Sequence, residues 1–153
     1  MTFPAPVSDT DKNLDTGCAT VAGEIARTDS KSSLLLAFNG AVLAGLASAA
    51  DKDLPLLTKV FGATAVLALA AAAGLLLLVV RPRLRGDDNA SFPYWARLDE
   101  DEIRACMHGD TRAARIRVLS VLAVRKYQLL RRAVDLSLAA LALLLLAAAS
   151  ALT

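Results

Sequence analysis

The sequence has 153 residues, of which 56% are hydrophobic, 21% charged and 5% aromatic. An ordinary soluble domain carries about 45–50% apolar and about 25% charged residues, so this composition excludes most soluble folds. One histidine and two cysteines exclude the usual four-ligand zinc site. A formal net charge of +2 is too small to indicate nucleic acid as a partner.

The hydrophobic residues are concentrated in three blocks without Lys, Arg, Asp or Glu, at 32–50, 60–80 and 136–153, with 19, 21 and 18 residues. A helix needs about 20 apolar residues to cross the hydrocarbon core of a bilayer. The sequence therefore predicts an all-α integral membrane protein with three transmembrane helices and cytoplasmic helical extensions. The polar first thirty residues lack the apolar stretch of a cleavable signal peptide, so we expect the first block to be an uncleaved anchor.

The distribution of basic residues predicts the orientation in the membrane. Segment 1–31 contains three Lys or Arg residues, 51–59 contains two, and 81–135 contains twelve. Since Lys and Arg collect near the membrane on the cytoplasmic side, we expect a cytoplasmic N-terminus and an external C-terminus. Cys18 and Cys106 would then face the cytosol, where thiols stay reduced, and we assign them no role.

Capping residues and helix breakers divide the chain further. Ser8 or Asp9 can begin a helix, and Pro82 and Gly86 end one. The predicted segments are a flexible tail 1–8, a cytoplasmic helix 9–31 continuous with transmembrane helix 32–50, an external loop 51–59, transmembrane helix 60–80, a cytoplasmic loop with a short helix 81–110, a basic cytoplasmic helix 111–132 and transmembrane helix 133–153. Apolar stripes on 9–31 and 111–132 predict that these two extensions pack together.

Two polar or aromatic features of the sequence could contact a ligand. Asn39 lies inside the first block, where an amide needs a partner, and we favour an interhelical polar contact over ligand binding. Tyr94 and Trp95 follow Phe92 near the membrane surface. They could form an interfacial aromatic belt, which we favour, or a stacking surface for a base.

The acidic run 99–102 is the strongest candidate for acid–base chemistry, but no nucleophile stands near it at a catalytic spacing. We expect it to form the solvated first turn of a short helix. Nothing in the chain has the pattern of a nucleophile–base pair, a phosphate-binding glycine loop or a metal site. The sequence therefore predicts no enzyme, no catalytic residue, no cofactor and no metal.

Two segments resemble the transmembrane effectors of the Pycsar antiphage system. The first runs from Arg27 through the Asp-x-Lys of Asp29–Lys31 into an apolar run with Asn39-Gly40. The second contains Arg125-Lys126-Tyr127-Gln-Leu-Leu-Arg131, which looks like the basic helix that precedes the last span in that family. Their order, their spacing and the aromatic loop between them also fit, so the resemblance covers about residues 20–150.

The resemblance implies a multi-pass effector in a bacterial cell membrane, silent until a partner pyrimidine cyclase makes cyclic UMP or cyclic CMP. Binding would make the protein, expected to be a homo-oligomer, impair the lipid bilayer and cause abortive infection. One phosphate charge suits Arg or Lys, and a base suits an aromatic ring. The residues expected to bind the nucleotide are Arg27, Lys31, Arg125, Lys126 and Tyr127, although cationic residues here are also expected for orientation alone.

Two other functions remain open from the sequence. One is a membrane effector gated by a cyclic oligonucleotide, because related two-span effectors share this layout. The other is a non-enzymatic membrane scaffold that recruits a cytoplasmic partner through the basic helix.

Overall fold

The chain forms five helices in the computed structural model, which describes residues 8–48, 54–82, 91–106 and 108–152. The helices are α1 (Asp9–Ser48), α2 (Leu56–Val80), α3 (Phe92–Trp95), α4 (Glu100–Cys106) and α5 (Arg112–Ala151). No strand occurs among the described residues. The predicted all-α fold is confirmed.

Helices α1, α2 and α5 contain 40, 25 and 40 residues, and each is long and apolar enough to cross a membrane. At about 1.5 Å per residue, even α2 exceeds the thickness of about 30 Å that a hydrocarbon core requires. The described residues therefore contain the predicted three candidate transmembrane helices. Residues 1–7 of the expected tail 1–8, residues 49–50 of the expected transmembrane helix 32–50 and residues 51–53 of the expected loop 51–59 lie outside the described residues.

Helix α2 begins earlier than the sequence predicts, since residues 56–59 of the expected 51–59 loop are helical. The carbonyl of Pro55 accepts a hydrogen bond of 3.1 Å from the Lys59 amide, which closes the first turn. A proline suits this end because its fixed φ is compatible with a helix start and its missing N–H would have no partner there. The prediction ended the loop at Lys59 because that residue is charged, but a charge in a first turn is no barrier to a helix.

Two compact units make up the chain: a polar unit (Met1–Ala26 and Pro82–Arg125) and a span unit (Arg27–Arg81 and Lys126–Thr153). Helices α1 and α5 supply residues to both. In the span unit, α1 and α5 run parallel, because Asp29 contacts Lys126 and Asn39 contacts Ser137 at nearly equal separations of 97 and 98 residues. Helix α2 runs antiparallel to both, with Thr58 beside Ser150 and Leu76 packed in a cluster with Leu130 and Ala133.

The sheltered residues of α1 and α5 recur in alternating steps of three and four. Within each unit, this 3.5-residue repeat is typical of helices that pack along a seam with side chains interdigitated. The seam residues of α1 are Asp11, Leu14, Cys18, Val21, Ile25, Thr28, Ser32, Leu35, Asn39, Val42 and Leu46, and those of α5 are Arg112, Ile116, Leu119, Ala123, Lys126, Leu130, Ala133, Ser137, Ala140, Leu144 and Ala147.

A polar pair lies in the middle of the seam within the span unit. Asn39 is fully buried; its Nδ2 donates to Ser137 Oγ at 3.1 Å, and its Oδ1 lies 3.2 Å from the same hydroxyl. Ser137 Oγ is also 3.0 Å from the Ala133 carbonyl. Because an unpaired amide in hydrocarbon costs several kcal/mol, this contact favours one register of α1 against α5.

We expect the Asn39→Ala and Ser137→Ala substitutions to be non-additive in their effects on stability. Side-chain hydrogen bonds between membrane helices contribute about 0.6 kcal/mol on average and at most about 1.7 kcal/mol, so the coupling free energy should fall in that range. A double-mutant cycle of unfolding in mixed micelles measures it. Ser48→Ala, which removes an exposed hydroxyl that donates to the Gly45 carbonyl of the same helix, is the control. A coupling energy of zero would show that the pair does not hold the helices in register.

Candidate functional site

An ion pair joins the two segments that carry the family resemblance. Lys126 Nζ of α5 lies 2.5 Å from Asp29 Oδ1 of α1, within the span unit. The Lys126 side chain is only 14% exposed and that of Asp29 is 37% exposed. Lys126 is a seam position, and Asp29 flanks the seam beside Thr28. The two charges therefore meet because the seam brings α1 and α5 together.

Small hydroxyl side chains line α1 next to this ion pair. Thr28 and Ser32 are buried, and Ser32 Oγ donates to the Thr28 carbonyl at 2.8 Å. Among the described residues, no buried side-chain nitrogen or oxygen lacks a hydrogen-bond partner. The ion pair is therefore partly exposed and lies next to the buried, hydrogen-bonded side chains of Thr28 and Ser32.

The chemistry of this pair is anion binding by a sheltered ammonium group. Burial from bulk water strengthens the attraction of Lys126 for an anion, and the Asp29 carboxylate now occupies that position. A phosphodiester carries the same single negative charge and accepts the same charge-assisted hydrogen bonds. A phosphate could therefore replace the carboxylate at Lys126 without leaving a buried charge unpaired.

Arg27 and Lys31 lie on a different face of α1 from Asp29. Both side chains are exposed, and their spacing of four places them side by side on the helix surface, whereas residues two apart do not face each other. Lys31 makes no ion pair or side-chain hydrogen bond within the described part of the chain. The structure therefore pairs Lys126 with Asp29 of α1 and leaves the exposed Lys31 accessible to an external anion.

Tyr127 and Arg125 flank Lys126 on α5. Tyr127 is 39% exposed and therefore partly accessible. Arg125 is exposed and belongs to the polar unit. Tyr94 and Trp95 also belong to the polar unit, where they end α3 and are half-buried. Their backbone amides both bond to the Ser91 carbonyl, at 3.0 and 3.1 Å.

A second cluster of charges holds the polar unit together around Arg112. Its guanidinium group contacts three carboxylates: Asp11, Asp15 at 3.0 Å and Asp110 at 3.0 Å. Arg112 Nη1 also donates to the Asp11 carbonyl at 3.1 Å. These contacts join the first turns of α1 to the start of α5.

The geometry of the Arg112 cluster explains the shifted pKa values in it. A hydrogen bond from the Ser8 hydroxyl and then one from Arg112 lower the pKa of Asp11. Hydrogen bonds from Arg112 lower the pKa of Asp110, and the three carboxylates together raise the pKa of Arg112. Each shift favours the charged form, so the cluster is stable as an assembly of ions at neutral pH.

Close helix packing accompanies this cluster. A Cβ atom added at Gly17 would lie 3.0 Å from Ile116 Cδ1, so the α1 backbone approaches α5 closely there. The Cys18 thiol lies 3.7 Å from the Arg112 carbonyl. Gly17, which is unfavourable inside a helix on propensity alone, is explained by this close approach.

The acidic run 99–102 caps and supports α4. Asp99 Oδ1 accepts from the Glu102 amide at 2.8 Å, and Glu102 Oε2 accepts from the Asp99 amide at 3.0 Å, which is a reciprocal capping box. Asp101 pairs with Arg104 at 2.8 Å on the exposed surface. Within the described ranges, no group of three or more His, Cys, Asp or Glu residues is arranged to hold a metal ion.

Sequence reasoning missed Asp29 as the partner of Lys126 and Arg112 as the centre of a charge cluster. A signal for Asp29 was present, because it continues the apolar stripe of α1 four residues after Ile25. A carboxylate on a packing face requires a cationic partner or a shifted pKa. Which cation would meet it depends on the register of two helices nearly 100 residues apart, and a single sequence does not specify that register.

Comparison with known proteins identifies the family. The family model described as the Pycsar effector protein domain matches residues 13–153, nearly the whole chain. The chain belongs to the Pycsar effector family. No curated protein and no solved structure matches it.

Membership in the Pycsar effector family confirms the resemblance and makes this chain an antiphage defence effector. The match includes α2, α5 and nearly all of α1, so the Asp29–Lys126 pair, the Asn39–Ser137 pair and the Arg112 cluster all involve residues of the Pycsar effector domain. The three apolar helices indicate a multi-pass membrane protein.

Acid should loosen the contact between α1 and α5 in the polar unit. The folded-state pKa values of Asp11 and Asp110 lie below the usual 3.8, so their stabilising effect is complete above that pH and is lost as the pH falls through the lowered values. Spin labels at Ala19 and Ala113, with Cys18 and Cys106 changed to Ser, would report the distance. We expect a narrow distribution at pH 7 that broadens as the pH falls below 3.8 and through the lowered pKa values of Asp11 and Asp110.

Arg112→Gln provides the control, because it removes the cation and should broaden the distribution at pH 7. Identical distances at pH 7 and pH 2.5 in the unsubstituted protein would contradict a structural role for these ion pairs.

Proposed function

We propose that this Pycsar effector senses a cyclic pyrimidine mononucleotide, cyclic UMP or cyclic CMP, supplied by a partner pyrimidine cyclase. Binding causes the protein to impair the membrane of the infected cell, which stops phage production by abortive infection. The observation that carries this function is the family match over residues 13–153 in a chain with three helices able to span a bilayer. The protein acts without an enzymatic step of its own.

The proposed orientation places the N-terminus and residues 81–132 in the cytoplasm of a bacterial cell, where the nucleotide is made. The excess of Lys and Arg in 81–135 supports this orientation. Residues 9–31 and 111–132 are then the cytoplasmic extensions, and the C-terminus is external.

Lys126 is the proposed ligand for the nucleotide phosphate, and Tyr127 is the proposed surface for the base. The ion pair with Asp29 supports this assignment, because it shows that the ammonium group is sheltered and that an anion is accommodated beside it. Arg125 and the exposed Arg27–Lys31 face of α1 add cations for the same ligand or for the neighbouring subunit of a homo-oligomer. Tyr94 and Trp95 remain the proposed alternative stacking residues.

Asp29 has a proposed regulatory role as an internal competitor. With no nucleotide present, its carboxylate neutralises Lys126 and holds α1 against α5. A phosphate that takes its place breaks the Asp29–Lys126 contact between these two helices. The same step that binds the ligand would therefore loosen the contact that keeps the effector silent.

Dye release from liposomes that contain the purified full chain tests the function. Cyclic UMP, cyclic CMP, cyclic AMP and a cyclic dinucleotide are added separately, with protein-free liposomes as the control. We expect release with one cyclic pyrimidine nucleotide only. Release with the dinucleotide would identify a cyclic-oligonucleotide effector instead, and absence of both release and binding would leave a membrane scaffold.

Substitution of the acidic partner of the ion pair should raise the affinity for the nucleotide, and substitution of the basic partner should lower it. Asp29→Asn removes the competing carboxylate, so we expect about 1.4- to fivefold tighter binding, the range that an ion pair worth about 0.2–1 kcal/mol supports. Arg125→Gln with Lys126→Gln should abolish binding. Calorimetry on detergent-solubilised protein measures both affinities.

Arg115→Gln with Arg117→Gln is the matched control, since it removes two exposed charges from the same helix outside the proposed site. Unchanged helicity by circular dichroism shows that a variant still folds. Binding that is unaffected by the Arg125 and Lys126 substitutions would remove both residues from the site.

A further inference from the structure

The span unit contains a groove where α2 begins and where α1 and α5 end. Its volume is about 520 Å³, within the range of about 300–1,000 Å³ of small-molecule sites. Its lining includes small residues of two helices, Gly62 and Ala63 of α2 and Ala147 and Ala148 of α5. Leu46 of α1 adds a larger apolar wall, so small residues beside large ones create the hollow.

The residues that line the groove are apolar except for Thr58 and Lys59, which lie near one end. Thr58 contributes a hydroxyl group, but this is 2.9 Å from the hydroxyl of Ser150 and is therefore paired. An apolar ligand lying along the rest of the lining, away from Lys59, would bury no unpaired polar side chain, so binding would avoid the desolvation cost of such a group.

Lys59 is the charged residue of the lining. Its side chain is exposed and makes no ion pair or side-chain hydrogen bond within the described residues. It lies in the first turn of α2, so it marks the end of the groove nearest the membrane surface. A lysine there can lay its hydrocarbon stem along apolar surface while the ammonium group reaches the interface.

The length of the groove matches one leaflet of a bilayer. Along α2 its lining runs from Thr58 to Val66, which is about 12 Å at ~1.5 Å per residue. Half of a hydrocarbon core is about 15 Å. The groove thus combines an apolar slot of one-leaflet depth with a cation at the level of the lipid headgroups.

We propose that this groove binds an acyl chain of an anionic phospholipid whose headgroup phosphate pairs with the Lys59 ammonium group. A hydrocarbon chain is flexible and fills an irregular hollow of this length. A helix from a second copy, about 10 Å across, would need a contact longer than these two turns and an acidic residue opposite Lys59. Lipid binding is independent of the proposed nucleotide site.

Native mass spectrometry of the full chain in detergent, titrated with phosphatidylglycerol or phosphatidylcholine, tests the groove. We expect the first phosphatidylglycerol to bind at least fivefold more tightly than the first phosphatidylcholine. Lys59→Gln should remove this preference, whereas Lys52→Gln, an equal charge change seven residues earlier, should keep it. Equal affinities for the two lipids in the unsubstituted protein, or a preference that survives Lys59→Gln, would overturn the assignment.

Filling the groove provides the second arm of the test. Ala63→Phe, and the milder Ala63→Leu, should weaken binding of the first lipid of either kind at least tenfold. Ala70→Phe on an exposed part of α2 outside the groove should not. If the Ala63 variants leave lipid binding unchanged but dissociate an oligomer in the same spectra, a second copy occupies the groove and the lipid site is wrong.

Discussion

The register of α1 against α5 is the constraint on which the span unit depends. An amide inside hydrocarbon must find a partner, and Asn39 finds Ser137 at a separation of 98 residues. Because the helices run parallel, the same register places Asp29 opposite Lys126 at a separation of 97 residues. Apolar seam residues such as Leu35 and Leu130 could pack in several registers at similar cost, whereas the two polar pairs cannot. Polar residues on a packing seam thus supply specificity more than stability.

This arrangement links the sheltered cation to the packing of the helices. Lys126 occupies a seam position, so replacing its partner changes a contact between α1 and α5. Lys31 and Arg125, by contrast, are exposed, and an anion bound there need not disturb the seam. A ligand shifts a conformational equilibrium only by its difference in affinity for the two states. Lys126 pairs with Asp29, so a ligand that binds Lys126 in place of Asp29 has different affinities for the state with this contact and the state without it.

The sequence predicts the helices better than their contacts. Charge-free blocks of span length identify three transmembrane helices because the hydrocarbon core imposes a minimum length on any helix that crosses it. Asn39 stands out as needing a partner because hydrocarbon offers its amide no hydrogen bond. Nothing in the sequence distinguishes Ser137 from other hydroxyl residues as that partner. Residues 56–59 were misassigned because Lys59 interrupts the apolar block, although the helix begins at Leu56. Arg112 resembles the other arginines of a basic segment, and only the fold shows that Asp11, Asp15 and Asp110 surround it.

The energetics of the proposed switch require more than one contact. Moving an equilibrium from 1:99 to 99:1 takes a difference in binding free energy of about 5.5 kcal/mol between the two states. A hydrogen bond to a charged group contributes about 1.5–3 kcal/mol, and stacking of a base on an aromatic ring about 1–3 kcal/mol. Lys126 and Tyr127 of one subunit therefore reach the requirement only at the upper end of both ranges, and loss of the Asp29 pair subtracts from their sum. If several subunits change state together, the differences in binding free energy from their separate ligands add up and can reach the required value. A nucleotide-gated effector built on this site is thus expected to act as an oligomer with a steep response to ligand concentration.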